Sequence, residues 1–202
     1  MNIELLKGSN DLFSITPKIF GDNRGYFLER YNSKVLEKAI GFKITFVQQN
    51  ESYSSQSVLR GMHYQTVNPQ AKLVTVIEGS VLDVAVDLRI DSTTYGQSFA
   101  LELNSELKNS LLIPKGYAHG FLVKSEKAIF SYMVDEFYDP HSEITILWNN
   151  EHFTKNQLEE NFEHIRDFNE HNITNGYLCS ICDPFLILVC ELYNVNIDHN
   201  YN

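Results

Sequence analysis

An all-β sandwich or barrel, preceded by one short helix, is the fold class this sequence predicts, and three observations carry it. Short runs of alternating apolar and polar residues recur throughout residues 43–148. Turn signals separate them at intervals too short for intervening helices, which excludes βαβ units. A single helix signal stands ahead of them. No internal repeat and no Gly/Ser-rich or Pro-rich linker interrupts the chain.

The helix comes first. Asn32 or Ser33 caps it, Val35, Leu36 and Ala39 or Ile40 supply its apolar face, and Gly41 ends it. Val74, Val76 and Ile77 then form a strand closed by the turn pair Glu78-Gly79, and Val81 to Asp87 forms the next. Further strands are predicted at Ser98 to Leu103, Ser110 to Ile113, Gly120 to Val123, Ala128 to Val134 and Ile144 to Trp148.

Beyond residue 150 the period changes. Thr154 and Gln157 form a capping box, and Leu158, Phe162, Ile165 and Phe168 follow at helical spacing. Asn172 to Gly176 breaks that helix, and Phe185 to Tyr193 is an apolar segment that is either strand or buried helix. Charge changes at the same place. Residues 1–150 carry 14 basic and 17 acidic side chains, net −3, whereas residues 151–202 carry 2 and 9, net −7. Two units are therefore expected: residues 1–150, and an acidic, partly helical segment 151–202 packed on the first unit or on a second copy of it.

Composition excludes several classes of function. With 43% hydrophobic and 21% charged residues in 202, the chain can bury a core and is not disordered. No apolar run reaches the ~18 residues of a membrane span, and no basic-then-apolar leader opens the sequence, so a cytoplasmic protein is expected. A net charge of −10 argues against nucleic-acid binding. Any bound phosphate must be met by a few specific Arg or Lys side chains. Cys179, Cys182 and Cys190 are too few for a closed zinc site and read as buried or reduced thiols.

Two histidines stand in distinctive settings: Leu59-Arg60-Gly61-Met62-His63-Tyr64-Gln65 and Pro114-Lys115-Gly116-Tyr117-Ala118-His119-Gly120-Phe121. The second string resembles the second conserved motif of the cupin superfamily. Metal-binding cupins carry a His-x-His pair and a Glu in the first motif, where this chain has one histidine followed by Tyr64-Gln65. Two imidazoles without a carboxylate or third histidine make a poor metal site, so no metal is expected.

Seven further stretches follow the same order as one cupin family. They are Gly21 to Glu29, Phe46 to Ser52, Gln70 to Val74, Asp83 to Arg89, Tyr132, Tyr138-Asp139-Pro140 and Glu143 to Trp148. With the two histidine strings they resemble the dTDP-4-dehydrorhamnose 3,5-epimerases across residues 1–150. The resemblance implies a cupin-type double-stranded β-helix, a jelly-roll barrel, acting on a nucleoside-diphosphate-4-keto-6-deoxy sugar for surface polysaccharide synthesis.

The residue types suit that chemistry on their own terms. Inverting a carbon beside a ketone needs a base, an electrophile for the enolate oxygen, and an acid on the opposite face. His63 has the right ordinary pKa for the base, Tyr132 is a protonated donor at neutral pH, and Lys72 can meet the enolate if it faces inward. No hydride moves, so no cofactor is needed. The resemblance assigns the base to His63 and the acid to Tyr132. It implies substrate contacts from Arg24, Glu29, Gln48, Asn50, Arg60, Lys72, His119, Tyr138 and Glu143. It also implies a homodimer in which N-terminal strands cross between subunits, bringing Arg24 and Glu29 to the partner's pocket.

Two departures stand out. Gln49 occupies a position that is usually Asp in the family. The family's C-terminal Leu-Ser-x-Lys-Asp string, whose Asp pairs with the catalytic histidine, has no match after Trp148. Asp167, or Asp83 or another strand carboxylate, then has to support His63. The alternatives are a single-centre epimerase, a GDP-heptose epimerase, or a sugar-nucleotide-binding cupin without turnover.

Overall fold

A computed structural model describes residues 1–145. Within them two antiparallel sheets face each other. One runs β1 (Asn2–Leu5), β2 (Phe13–Thr16), β10 (Ser110–Ile113), β7 (Lys72–Glu78), β12 (Lys127–Val134), β5 (Gln48–Ser55). The other runs β13 (Glu143–Thr145), β6 (Leu59–Gln65), β11 (Tyr117–Val123), β8 (Ser80–Asp87), β9 (Ser98–Asn104). Neighbours in each sheet are mostly distant in sequence, as a cupin-type jelly roll requires. A separate hairpin, β3 (Ile19–Asp22) and β4 (Gly25–Leu28), pairs only with itself among the described residues.

The helix α1 (Ser33–Ile40) is bounded as its sequence predicts. The Asn32 side chain accepts from the Lys34 and Val35 backbone N–H groups at 3.1 and 3.3 Å. Gly41 closes it at φ 85°, a left-handed conformation that other residues adopt at a cost, and its N–H donates to the Glu37 carbonyl at 2.9 Å. Leu36 packs with Ile15, Leu73 and Leu112, so α1 covers the outer face of the first sheet. Burying one such leucine contributes about 1.5–3 kcal/mol.

Alternation decides what lies between the sheets. Val74 and Val76 of β7, Val81 and Ala85 of β8, Tyr117, Phe121 and Val123 of β11, and Ala128 and Phe130 of β12 form one buried cluster. Successive strand residues point to opposite faces, so residues two apart share one. By that parity Lys72, Asp83, His119 and Tyr132 also face inward. The barrel therefore has an apolar core that passes directly into a polar one. Phe130 lies at the junction, stacked on Phe121 at 4.1 Å, with the His119 and Tyr132 rings at 6.0 and 6.1 Å.

Arg89 anchors the N-terminal segment to the barrel. It bonds Asp87 at 2.8 and 2.9 Å, pairs with Asp11, and stacks 4.6 Å from the Tyr117 ring, whose hydroxyl donates to Asp11 at 2.6 Å. The predicted strand at Ile144 to Trp148 is described only as Glu143–Thr145. The segment 151–202, with its predicted helix and three cysteines, lies outside the described residues.

Candidate active site

Arg60 and His63 stand three residues apart on β6, so a regular pleat would send them to opposite faces. The register between β6 and β11 shifts between the pairs His63↔His119 and Arg60↔Phe121. That irregularity returns both side chains to the face carrying His119 and Phe121. Two glycines permit it. Gly61 sits at φ 104°, and a Cβ there would lie 2.5 Å from both the Gly120 Cα and the His119 carbonyl oxygen. A side chain at either glycine would push the strands apart and remove the arrangement.

Each side chain is fixed by a different element. His119 Nε2 meets Asp83 Oδ2 at 2.9 Å; His119 is 7% exposed and Asp83 fully buried. Arg60 Nε donates to the Ser54 hydroxyl at 2.9 Å and its terminal nitrogen to the Tyr53 carbonyl at 3.3 Å, joining the two sheets. Opposite, Tyr132 pairs with Asn50 of β5, and Val134 with Gln48 and Lys72 on its two sides. Gln48 Nε2 donates to Asn50 Oδ1 at 2.8 Å, and Gln48 Oε1 accepts the Tyr138 backbone N–H at 3.1 Å. The Tyr138 hydroxyl donates to Glu143 Oε2 at 2.6 Å, and Glu143 Oε1 stands 4.0 Å from His63 Nδ1.

The electrostatics follow from this placement. Burial pushes the Lys72 ammonium down to about 8, against the pull of the Glu143 and Asp83 carboxylates, which favour its charge. Burial also raises the Tyr132 phenol, helped by Glu143 and opposed by an Asn50 hydrogen bond and by Arg60. Lysine is thus still mostly a cation at neutral pH, while the phenol keeps its proton. Among the described residues, no three His, Cys, Asp or Glu side chains form a group able to hold a metal ion.

The chemistry available is that of two facing sheets, one carrying an imidazole and the other a phenol with an ammonium on the neighbouring strand. The family model for dTDP-4-dehydrorhamnose 3,5-epimerase matches residues 8–167. The chain belongs to that family. It is 50% identical over 142 residues to the dTDP-4-dehydrorhamnose 3,5-epimerase of Salmonella typhimurium, covering 70% of this chain and 78% of that enzyme. The dTDP-4-dehydrorhamnose 3-epimerase of Streptomyces niveus is 38% identical over 137 residues, 67% of this chain and 66% of the relative. Among solved structures, the Legionella pneumophila epimerase in complex with dTDP-4-keto-L-rhamnose superposes with a TM-score of 0.73 at 43% identity. The match covers 77% of this chain and 82% of that one.

Most of the residues expected of a dTDP-4-dehydrorhamnose 3,5-epimerase site come together within this single chain. His63, Arg60, His119 and Glu143 belong to one sheet, and Gln48, Asn50, Lys72 and Tyr132 to the other, with Tyr138 on the loop between β12 and β13. Arg24 and Glu29 are not brought to them. Arg24 lies at the tip of the β3–β4 hairpin, where its guanidinium bonds Asp22, and Glu29 accepts from Asn32 at 3.1 Å on the surface. Asp83 does not serve His63 as one reading of the sequence allowed; its carboxylate is engaged by His119. Asp167 lies outside the described residues. Gln49 pairs with Met133 and bonds the Ser131 hydroxyl at 3.1 Å on the side away from Gln48 and Asn50, so this departure from the family does not alter the inner wall.

The role of Asp83 as the anchor of His119 was missed from sequence. The signal was there: in Val81-Leu82-Asp83-Val84-Ala85, strict alternation places a carboxylate between two inward apolar residues. A charge at such a position needs a partner in the interior.

Proposed function

We propose that the protein inverts C3 and C5 of a dTDP-linked 4-keto-6-deoxyhexose, as its family name describes, by acid–base chemistry through an enolate. The observation that carries this reading is the opposition of His63 and Tyr132 on facing sheets, with Lys72 beside the phenol. His63 removes the proton on a carbon next to the C4 ketone, and the C–H electron pair becomes the enolate double bond. Negative charge gathers on the ketone oxygen, where the Lys72 ammonium compensates it. Tyr132 then donates its proton to the opposite face of the same carbon, which returns the ketone with the centre inverted. Solvent restores the phenol and takes the proton from His63. C3 and C5 both flank the ketone, so one set of groups serves both when the ring shifts between them.

We infer that the working unit is a homodimer. Ile19, Phe20, Tyr26 and Phe27 on the β3–β4 hairpin are 43–69% exposed. The β5 strand ends its sheet with an open edge among the described residues. A second copy's hairpin laid on that edge satisfies both and delivers Arg24 and Glu29 beside Gln48 and Asn50. Arg24 then meets the diphosphate, for which a guanidinium is well shaped.

A single-centre outcome is the second reading, favoured by the likeness to a 3-epimerase. Incubation of the sugar nucleotide in deuterated water distinguishes the two. Label at both C3 and C5 is expected; label at one carbon selects the second reading, and label at neither removes the epimerase assignment.

A further inference from the structure

Glu143 occupies a position that substrate contact alone does not explain. One carboxylate oxygen accepts from the Tyr138 hydroxyl at 2.6 Å, while the other stands 4.0 Å from His63 Nδ1. Its strand, β13, is the immediate neighbour of β6, with Glu143 opposite Gln65 and Thr145 opposite His63. The carboxylate is therefore placed by its strand between a loop tyrosine and an imidazole. Its charge is also felt at Lys72 and Tyr132 on the facing sheet.

We propose that Glu143 is a positioning residue for His63, its carboxylate placed beside the imidazole by the pairing of β13 with β6 and its charge partly offset by the Tyr138 hydroxyl. A carboxylate 4 Å from an imidazole favours the imidazolium, so Glu143 makes His63 a stronger base. The same charge favours the protonated forms of Lys72 and Tyr132, on each of which burial acts more strongly. One residue thereby moves three groups in the same direction. Each must hold its proton at a different stage: His63 after abstraction, Lys72 throughout, Tyr132 until donation.

The Tyr138 hydrogen bond adjusts this influence. A hydroxyl proton pointed at Glu143 offsets part of the carboxylate's charge, so removing the hydroxyl strengthens what His63 senses. Other charges surround the imidazole. Arg60 shares its strand, His119 with Asp83 comes from β11 and β8, and Lys72 and Tyr132 come from the opposing sheet. None of these changes in the variants below, so they shift the baseline and not the difference.

The consequence for turnover rests on the epimerase reading, but the test does not. The His63 imidazole is titrated by proton NMR in the resting full-length protein, for wild type, Glu143→Gln and Tyr138→Phe. Glu143→Gln is expected to lower the His63 midpoint by about one pH unit, and Tyr138→Phe to raise it by a smaller amount. Both limbs of the pH–rate profile should move down together in Glu143→Gln. If Glu143→Gln does not fold, the rise in Tyr138→Phe decides alone. Unmoved midpoints, or movement in the same direction in both variants, overturn the proposal; a raised KM with unmoved midpoints would leave Glu143 a substrate ligand only. Shifted midpoints in a protein that exchanges no sugar protons would instead refute the epimerase reading and leave this one standing.

Discussion

His63 and His119 face each other across the β6–β11 ladder as Cα partners, and different carboxylates stand beside them: Asp83 at 2.9 Å from His119, Glu143 at 4.0 Å from His63. Two imidazoles on one wall are therefore not equivalent. Asp83 fixes the Nε2 side of His119 in the interior, where it is nearly closed to solvent. His63 is more open, its side chain 30% exposed, and has the access a base requires.

That difference predicts different phenotypes. Replacing His63 with Asn should abolish solvent exchange at both carbons while dTDP-sugar affinity stays within about tenfold, since the loss falls on the transition state. Replacing His119 with Asn should weaken binding or folding and leave measurable exchange. Equal exchange rates in wild type and His63→Asn would remove His63 from the mechanism.

The acid stability of the fold depends on the Arg89 cluster. Asp87 is fully buried, and although burial alone would raise its pKa, bonds from Arg89, Ser92 and Thr94 hold it to about 2. A carboxyl depressed on folding contributes stability that is complete above its unfolded value near 4 and fades as pH falls toward 2. The contribution is on the order of 2 kcal/mol. Thermal unfolding should show Arg89→Met destabilised at pH 7, with the gap from wild type narrowing through that window. A gap unchanged from pH 7 to pH 2.5 would mean that packing of Arg89 on Tyr117, and not charge, carries its effect.

The strands from β7 to β12 were legible because their inner residues are apolar. Val74, Val76, Val81, Ala85, Phe121 and Phe130 build the core, and alternation in the sequence reports that burial directly. β5 gave no such signal: Gln-Gln-Asn-Glu-Ser-Tyr-Ser-Ser is polar on both faces, because its inner face is the site and not the core. β3 and β4 were hidden for the opposite reason. Phe20, Tyr26 and Phe27 give the hairpin apolar side chains without a core of its own chain to receive them. The shared face of Arg60 and His63 was not legible either, since it depends on a register shift that requires glycine at both 61 and 120. The helix, by contrast, was legible at both ends, Gly41 as its stop and Asn32 as one of two candidate caps, because these residues encode its ends locally.

The central claim is that His63 and Tyr132 act from opposite faces of one sugar, and the ratio of exchange to inversion in Tyr132→Phe tests it most directly. His63 can return the proton it removed, so this variant should still incorporate deuterium from solvent at C3 and C5. Inverted product should fall by at least about a hundredfold, the scale of a lost general acid. The account predicts label retained and inversion lost. Exchange and inversion falling together would contradict it, and would show that Tyr132 is needed to form the enolate and not only to reprotonate it.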